Sequence, residues 1–130
     1  MLNLNRDVQT RDELIFGKYD ESKYSGGIRH FKDMSLSTLE KLVAQNFIDL
    51  DEQQNDSPTV QAILGFMRTY PDYTAHGYTV SIEREDYRVS LEGVAKEREA
   101  DTIEELKGFM NMFRFADDFC TDNEMYCWFD

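Results

Sequence analysis

The chain has 130 residues, 41% hydrophobic and 13% aromatic, and a formal charge of −12. That length and apolar content suit one domain with a real core and exclude a disordered chain, while the charge argues against partners that are themselves anionic, nucleic-acid backbone and acidic lipid among them. Two cysteines, Cys120 and Cys127, are too few for a disulfide scaffold and fit no paired zinc spacing, so both read as reduced thiols.

No apolar run near Met1 resembles a signal peptide, and no stretch approaches the roughly 18 apolar residues of a membrane helix, which places the expected location in the cytoplasm. Residues 1–33 read as an N-terminal arm, partly ordered, with Leu14-Ile15-Phe16 as its apolar anchor or a short strand. Residues 34–130 read as a single α+β domain of order α-α-β-β-α with a further β at the end.

Ser37-Thr-Leu-Glu40 has the form of a capping box and predicts a helix to about Ile48, with Leu39, Leu42, Val43 and Phe47 on one face. A polar connection follows, after which Ser57-Pro58 predicts a second helix, its face Val60, Ile63, Leu64, Met67 and Tyr70, stopped by Pro71. The period then changes to two. Tyr78, Val80 and Ile82 alternate with polar residues, as do Tyr87, Val89 and Leu91, which predicts a hairpin within residues 77–92 turning at Glu83–Asp86 and pairing Val80 with Val89. Asp101 with Glu104 opens a third helix whose face is Ile103, Leu106, Met110 and Phe113, widened by Phe109. In the tail Met125, Cys127 and Phe129 alternate with Tyr126 and Trp128, which predicts a last strand beside the hairpin. The fold expected is three main helices on a small antiparallel sheet.

The sequence contains no recognisable catalytic, cofactor or metal motif. His30 and His76 are the only histidines, no nucleophile elbow occurs, and the acidic neighbours of Cys120 and Cys127 work against a thiolate. Gly26-Gly27 lacks the residues of a phosphate loop, and Asp49-x-Asp51 begins a calcium-like pattern that fails at Gln54 and Val60. Helices before a hairpin is also the order of winged-helix proteins, but Lys41 and Arg68 are too little positive charge for a duplex groove. Two stretches suit a protein partner instead: the hairpin tip with Arg84, Tyr87 and Arg88, and the aromatic end with Tyr126, Trp128 and Phe129.

The stretches Tyr73–Ser81, Asp86–Gly93, Phe31–Ser35 and Phe113–Phe119 resemble small acidic proteins carried by mobile elements of Gram-positive gut bacteria. That group has no assigned activity, so the resemblance carries over no site residue; it implies a bacterial cytoplasm and an accessory role, such as inhibiting host defence or regulating transfer. The expectation is a non-catalytic protein-interaction module with no cofactor. The alternative is an acidic inhibitor that imitates nucleic acid, and an enzyme of unrecognised type ranks third.

Overall fold

The computed structural model describes residues 3–130. Helices α1 (Val8–Phe16), α2 (Leu36–Ala44), α3 (Val60–Thr69) and α4 (Ile103–Met112) accompany strands β1 (Ile28–Met34), β2 (Thr74–Val80), β3 (Val89–Lys96), β4 (Asp118–Cys120) and β5 (Met125–Trp128). The strands form one antiparallel sheet in the order β1-β2-β3-β5-β4, giving an α+β fold. No described helix is long and apolar enough to cross a membrane.

The segment expected as an arm enters the sheet. Its β1 pairs with β2, and α1 is tied down by Arg11, fully buried, which donates to Asp12 at 2.8 Å, to the Val80 carbonyl at 3.0 Å and to the Tyr24 hydroxyl at 2.9 Å. A buried guanidinium is tolerated here because its donors on all sides are engaged. Leu14, Ile15 and Phe16 belong to this helix and lie against the core.

The three helices expected from the sequence each start one or two residues from the expected cap. The α2 cap is Ser35, accepting from the Thr38 amide, not Ser37; the α3 cap is Thr59, accepting from the Ala62 amide, while the Ser57 hydroxyl accepts from the Gln54 amide in the preceding turn; the α4 cap is Thr102, not Asp101. Every one of these segments is dense in Ser, Thr and Asp, so several candidates compete for the same free amides.

The hairpin register differs from the expected one by one residue near the tip: Thr79, not Val80, faces Val89, and Gly77 faces Leu91. Beyond Leu91 a bulge inserts Glu92, after which His76 faces Gly93 and Ala75 faces Val94. The bulge restores the face that a one-residue slip would otherwise reverse. Gly77 is required at this point, since a Cβ there would stand 1.9 Å from the Ser90 carbonyl oxygen.

One face of the sheet carries Phe31, Met34, Ala75, Val89, Leu91, Val94, Met125 and Cys127 into a single core with the helices. Its centre is aromatic: the Phe66 ring lies edge-on to Tyr73 and Phe113, with centroids 4.8 and 5.2 Å away, and Phe109 packs beside them. In α4 the buried positions are Glu105 and Phe109, followed by Phe113 at the helix end, whereas Ile103 and Met110, expected inside, are exposed. Glu105 turns inward because Lys96, buried at the end of β3, donates to it at 2.7 Å and Tyr73 donates at 2.8 Å.

Candidate ligand groove on the open sheet face

The other face of the sheet has no helix over it at the centre. Strand alternation brings His30 from β1, His76 and Tyr78 from β2, Glu92 from the bulge in β3, and Tyr126 and Trp128 from β5 to this side. Around them lies a concavity of about 310 Å³ lined by His30, Lys32, Asp33, His76, Glu92 and Trp128, among others. A second concavity of about 480 Å³, with Asp72, Glu97, Arg98 and Glu124, shares Asp33, Thr74 and Ala95 with the first. The two form one groove.

Its floor depends on Gly93. With no side chain there, His76 reaches across β3, places Nε2 2.9 Å from the Cys127 carbonyl oxygen, and stacks on Tyr126 with ring centroids 5.1 Å apart and planes 12° from parallel. A Cβ at position 93 would lie 2.0 Å from that carbonyl oxygen and 2.8 Å from His76 Nε2. The contact with a carbonyl assigns the Nε2 hydrogen, and burial lowers the His76 pKa below 6.5, against the smaller opposing pulls of the Cys127 carbonyl and Asp33. The result is a flat, neutral wall of two stacked rings.

Glu92 stands beside this wall. It is 8% exposed, and burial pushes its carboxyl above the ordinary value of 4.5, opposed by His30, 3.9 Å away, and by the Trp128 indole. His30 is well exposed, so this pairing is weak. A buried carboxylate held this loosely is under-solvated and open to a better donor.

The charges along the groove are unequal. Lys96 is committed to Glu105 and Asp101, and Arg98 to Asp72 and Asp101. Among the described residues Asp33, Glu97 and Glu124 have no cationic group within 4.0 Å, and Lys32 is the cation of the groove without an acidic partner.

Of the residues expected at a partner surface, the structure brings Tyr126 and Trp128 to this groove. Phe129, the next position on the strand, points the other way and is 1% exposed. Tyr87 is interior as well, its hydroxyl donating to the Asn5 carbonyl at 2.8 Å and its ring in contact with the guanidinium groups of Arg6 and Arg11. At the hairpin tip Arg84 forks onto Asp86 at 2.7 and 2.8 Å, and Arg88 donates to Ser90, Tyr78 and Asp86. Those two arginines are satisfied within the molecule. His30, His76 and Glu92 were not legible as neighbours; the available signal was the pair of glycines inside the two strands, which marks a bulge or a close backbone approach.

Comparison with protein-family models, curated proteins and solved structures returned no match. The chemistry of the groove therefore rests on its own geometry. Among the described residues no side-chain hydrogen bond joins His30 or His76 to a hydroxyl or a thiol, and no group of three His, Cys, Asp or Glu is placed to hold a metal ion. Cys127, although next to Tyr126 and Trp128, faces the core, and burial pushes its thiol up to about 12. What the groove can do is hold a cation: flat rings on one side, an under-solvated carboxylate at the floor and further carboxylates along its length.

Proposed function

We propose that the protein is a non-catalytic interaction module that receives a positively charged segment of a protein partner in the groove on its open sheet face. The observation that carries this reading is the coincidence, on one uncovered face, of the Tyr126 and Trp128 rings with Asp33, Glu92, Glu97 and Glu124. Aromatic side chains bring contact area at small entropic cost, and complementary charge draws the partner in and fixes its orientation. An accessory role in the cytoplasm of a bacterium carrying a mobile element, implied by the resemblance of Tyr73–Ser81 and the other quoted stretches, agrees with such a module.

The nucleic-acid-mimic reading is supported by a narrower observation. Asp118 and Asp122, with Glu124, continue the row of carboxylates that have no cationic partner among the described residues along the β4 edge. A mimic would engage a surface that also binds DNA or RNA, so nucleic acid would displace it from its target.

The test is titration of the ¹⁵N-labelled protein with a short peptide of alternating basic and serine residues, at two salt concentrations. Binding should perturb the amides of β3 and β5 and the Trp128 indole, and should weaken about tenfold as added salt shortens the Debye length from about 10 Å to a few Å. Glu97→Lys with Glu124→Lys, both at exposed positions, should abolish it. Shifts confined to the hairpin tip, or insensitivity to the double reversal, would remove the groove from the reading.

A further inference from the structure

The groove contains one position whose chemistry is narrower than attraction of positive charge. Along most of its length the carboxylates are exposed and hydrated, and any cation satisfies them equally. Glu92 differs in being nine-tenths buried on the bulge, with His30 at 3.9 Å as its one ion-pair neighbour among the described residues. The stacked His76 and Tyr126 rings line the same concavity, and the Trp128 indole lies against the Glu92 carboxyl.

We infer that the concavity over Glu92 is a subsite for a guanidinium group, the side chain of an arginine in the bound segment. The inference deepens the reading of the groove as a site for a basic segment and rests on it. A guanidinium is planar, is charged at every physiological pH, stacks on aromatic rings and presents paired N–H groups that fork onto one carboxylate. Each of those properties has its counterpart here: a flat wall, a carboxylate short of donors, and a pocket of about 310 Å³ that holds a long side chain. A lysine ammonium fits less well, being a compact and strongly hydrated point charge that would lose its water at a nearly buried floor without gaining a planar contact. His76 does not oppose the cation, because its Nε2 is already committed to the Cys127 carbonyl and the ring is neutral there. Lys32 does oppose it, but from an exposed position at the rim, where solvent screens the repulsion.

The geometry also states why the position is built on a bulge. Regular pairing would give each β3 residue one partner on β2; the extra residue lets Glu92 stand on the open face next to Gly93, which must remain bare for His76 to cross.

The experiment compares two peptides of identical sequence and charge, one with arginine and one with lysine at every basic position, by calorimetric titration against the wild type and Glu92→Gln. The amide variant keeps the shape of the side chain and an oxygen that can still accept from the Trp128 indole, and gives up only the weak pairing with exposed His30, so the fold is retained, which a thermal melt verifies. The arginine peptide should bind the wild type about tenfold more tightly than the lysine peptide, and Glu92→Gln should bring the two within about twofold of each other. Equal affinities for the wild type, or a preference that survives Glu92→Gln, would overturn the arginine subsite. In that event the groove still stands if Glu97→Lys with Glu124→Lys weakens both peptides. If neither peptide binds the wild type, the groove reading fails and takes the subsite with it.

Discussion

Burial divides the two cysteines. The Cys127 sulfur lies 3.8 Å from the Val94 carbonyl inside the core, with its pKa pushed up to about 12, whereas Cys120 at the sheet edge is partly exposed. A thiol-reactive dye should therefore label Cys120 quickly in the native protein and Cys127 only on unfolding; two equivalents labelled at once without denaturant would contradict the packing of β5. The Lys96–Glu105 pair has the opposite character. Burial pushes the Glu105 carboxyl up, but Lys96, the Asp101 amide and the Tyr73 hydroxyl together bring it below its ordinary 4.5, so its contribution to stability is present above that pH and is lost as pH falls through the lower, folded value. Glu105→Gln leaves buried Lys96 with only the longer, 3.4 Å contact to exposed Asp101 and should cost roughly 3 kcal/mol in a denaturant melt near neutral pH. His76 is also lowered, below 6.5, so it too favours folding above that pH and ceases to as the medium becomes more acidic; His76→Gln, which can still donate to the Cys127 carbonyl, should flatten the stability profile just below pH 6.5.

At the scale of elements, the bulge between β2 and β3 is the feature on which both faces depend. Gly77→Ala drives a Cβ into the Ser90 carbonyl, which belongs to backbone and cannot swing aside, so a loss of roughly 3 kcal/mol or more is expected, with broadened amide signals along β2 and β3. Native-like stability in this variant would mean that the register is wrong. The same elements show what was readable in advance. Helices α2 and α3 follow from apolar spacing because Leu39, Leu42, Ile63 and Met67 have no polar competitor on their faces, and β5 follows from the alternation of Met125 and Cys127 with Tyr126 and Trp128. The phase of α4 did not follow. A charged residue at position 105 reads as solvent-facing until its partner Lys96 is seen to be buried. β1 was hidden for a related reason, since Arg29 and His30 interrupt any alternation, although Arg29 lies against the Phe16 ring at 3.7 Å.

For the whole molecule, the acidic balance was evident from composition, but its placement was not. The groove draws carboxylates from Asp33, Glu92, Glu97 and Glu124, which are scattered along the chain and converge through the order of the strands. Only the two aromatic residues of β5 were legible as candidates, because their side of the strand is decided by local alternation, whereas Glu92 is turned outward by a bulge that no residue pattern announces on its own. The fold thus divides labour between two faces of one sheet: the inner one holds the helices, and the outer one, met by Glu52 and Gln54 only at Ser90 and Tyr78, is open at the groove with a surplus of negative charge around three rings. The most direct measurement is the indole proton resonance of Trp128, the single tryptophan of the chain, followed while an arginine-bearing peptide is added at low salt. That signal should move in a saturable way and return when the salt is raised. A resonance that stays still while the peptide demonstrably binds elsewhere would contradict it.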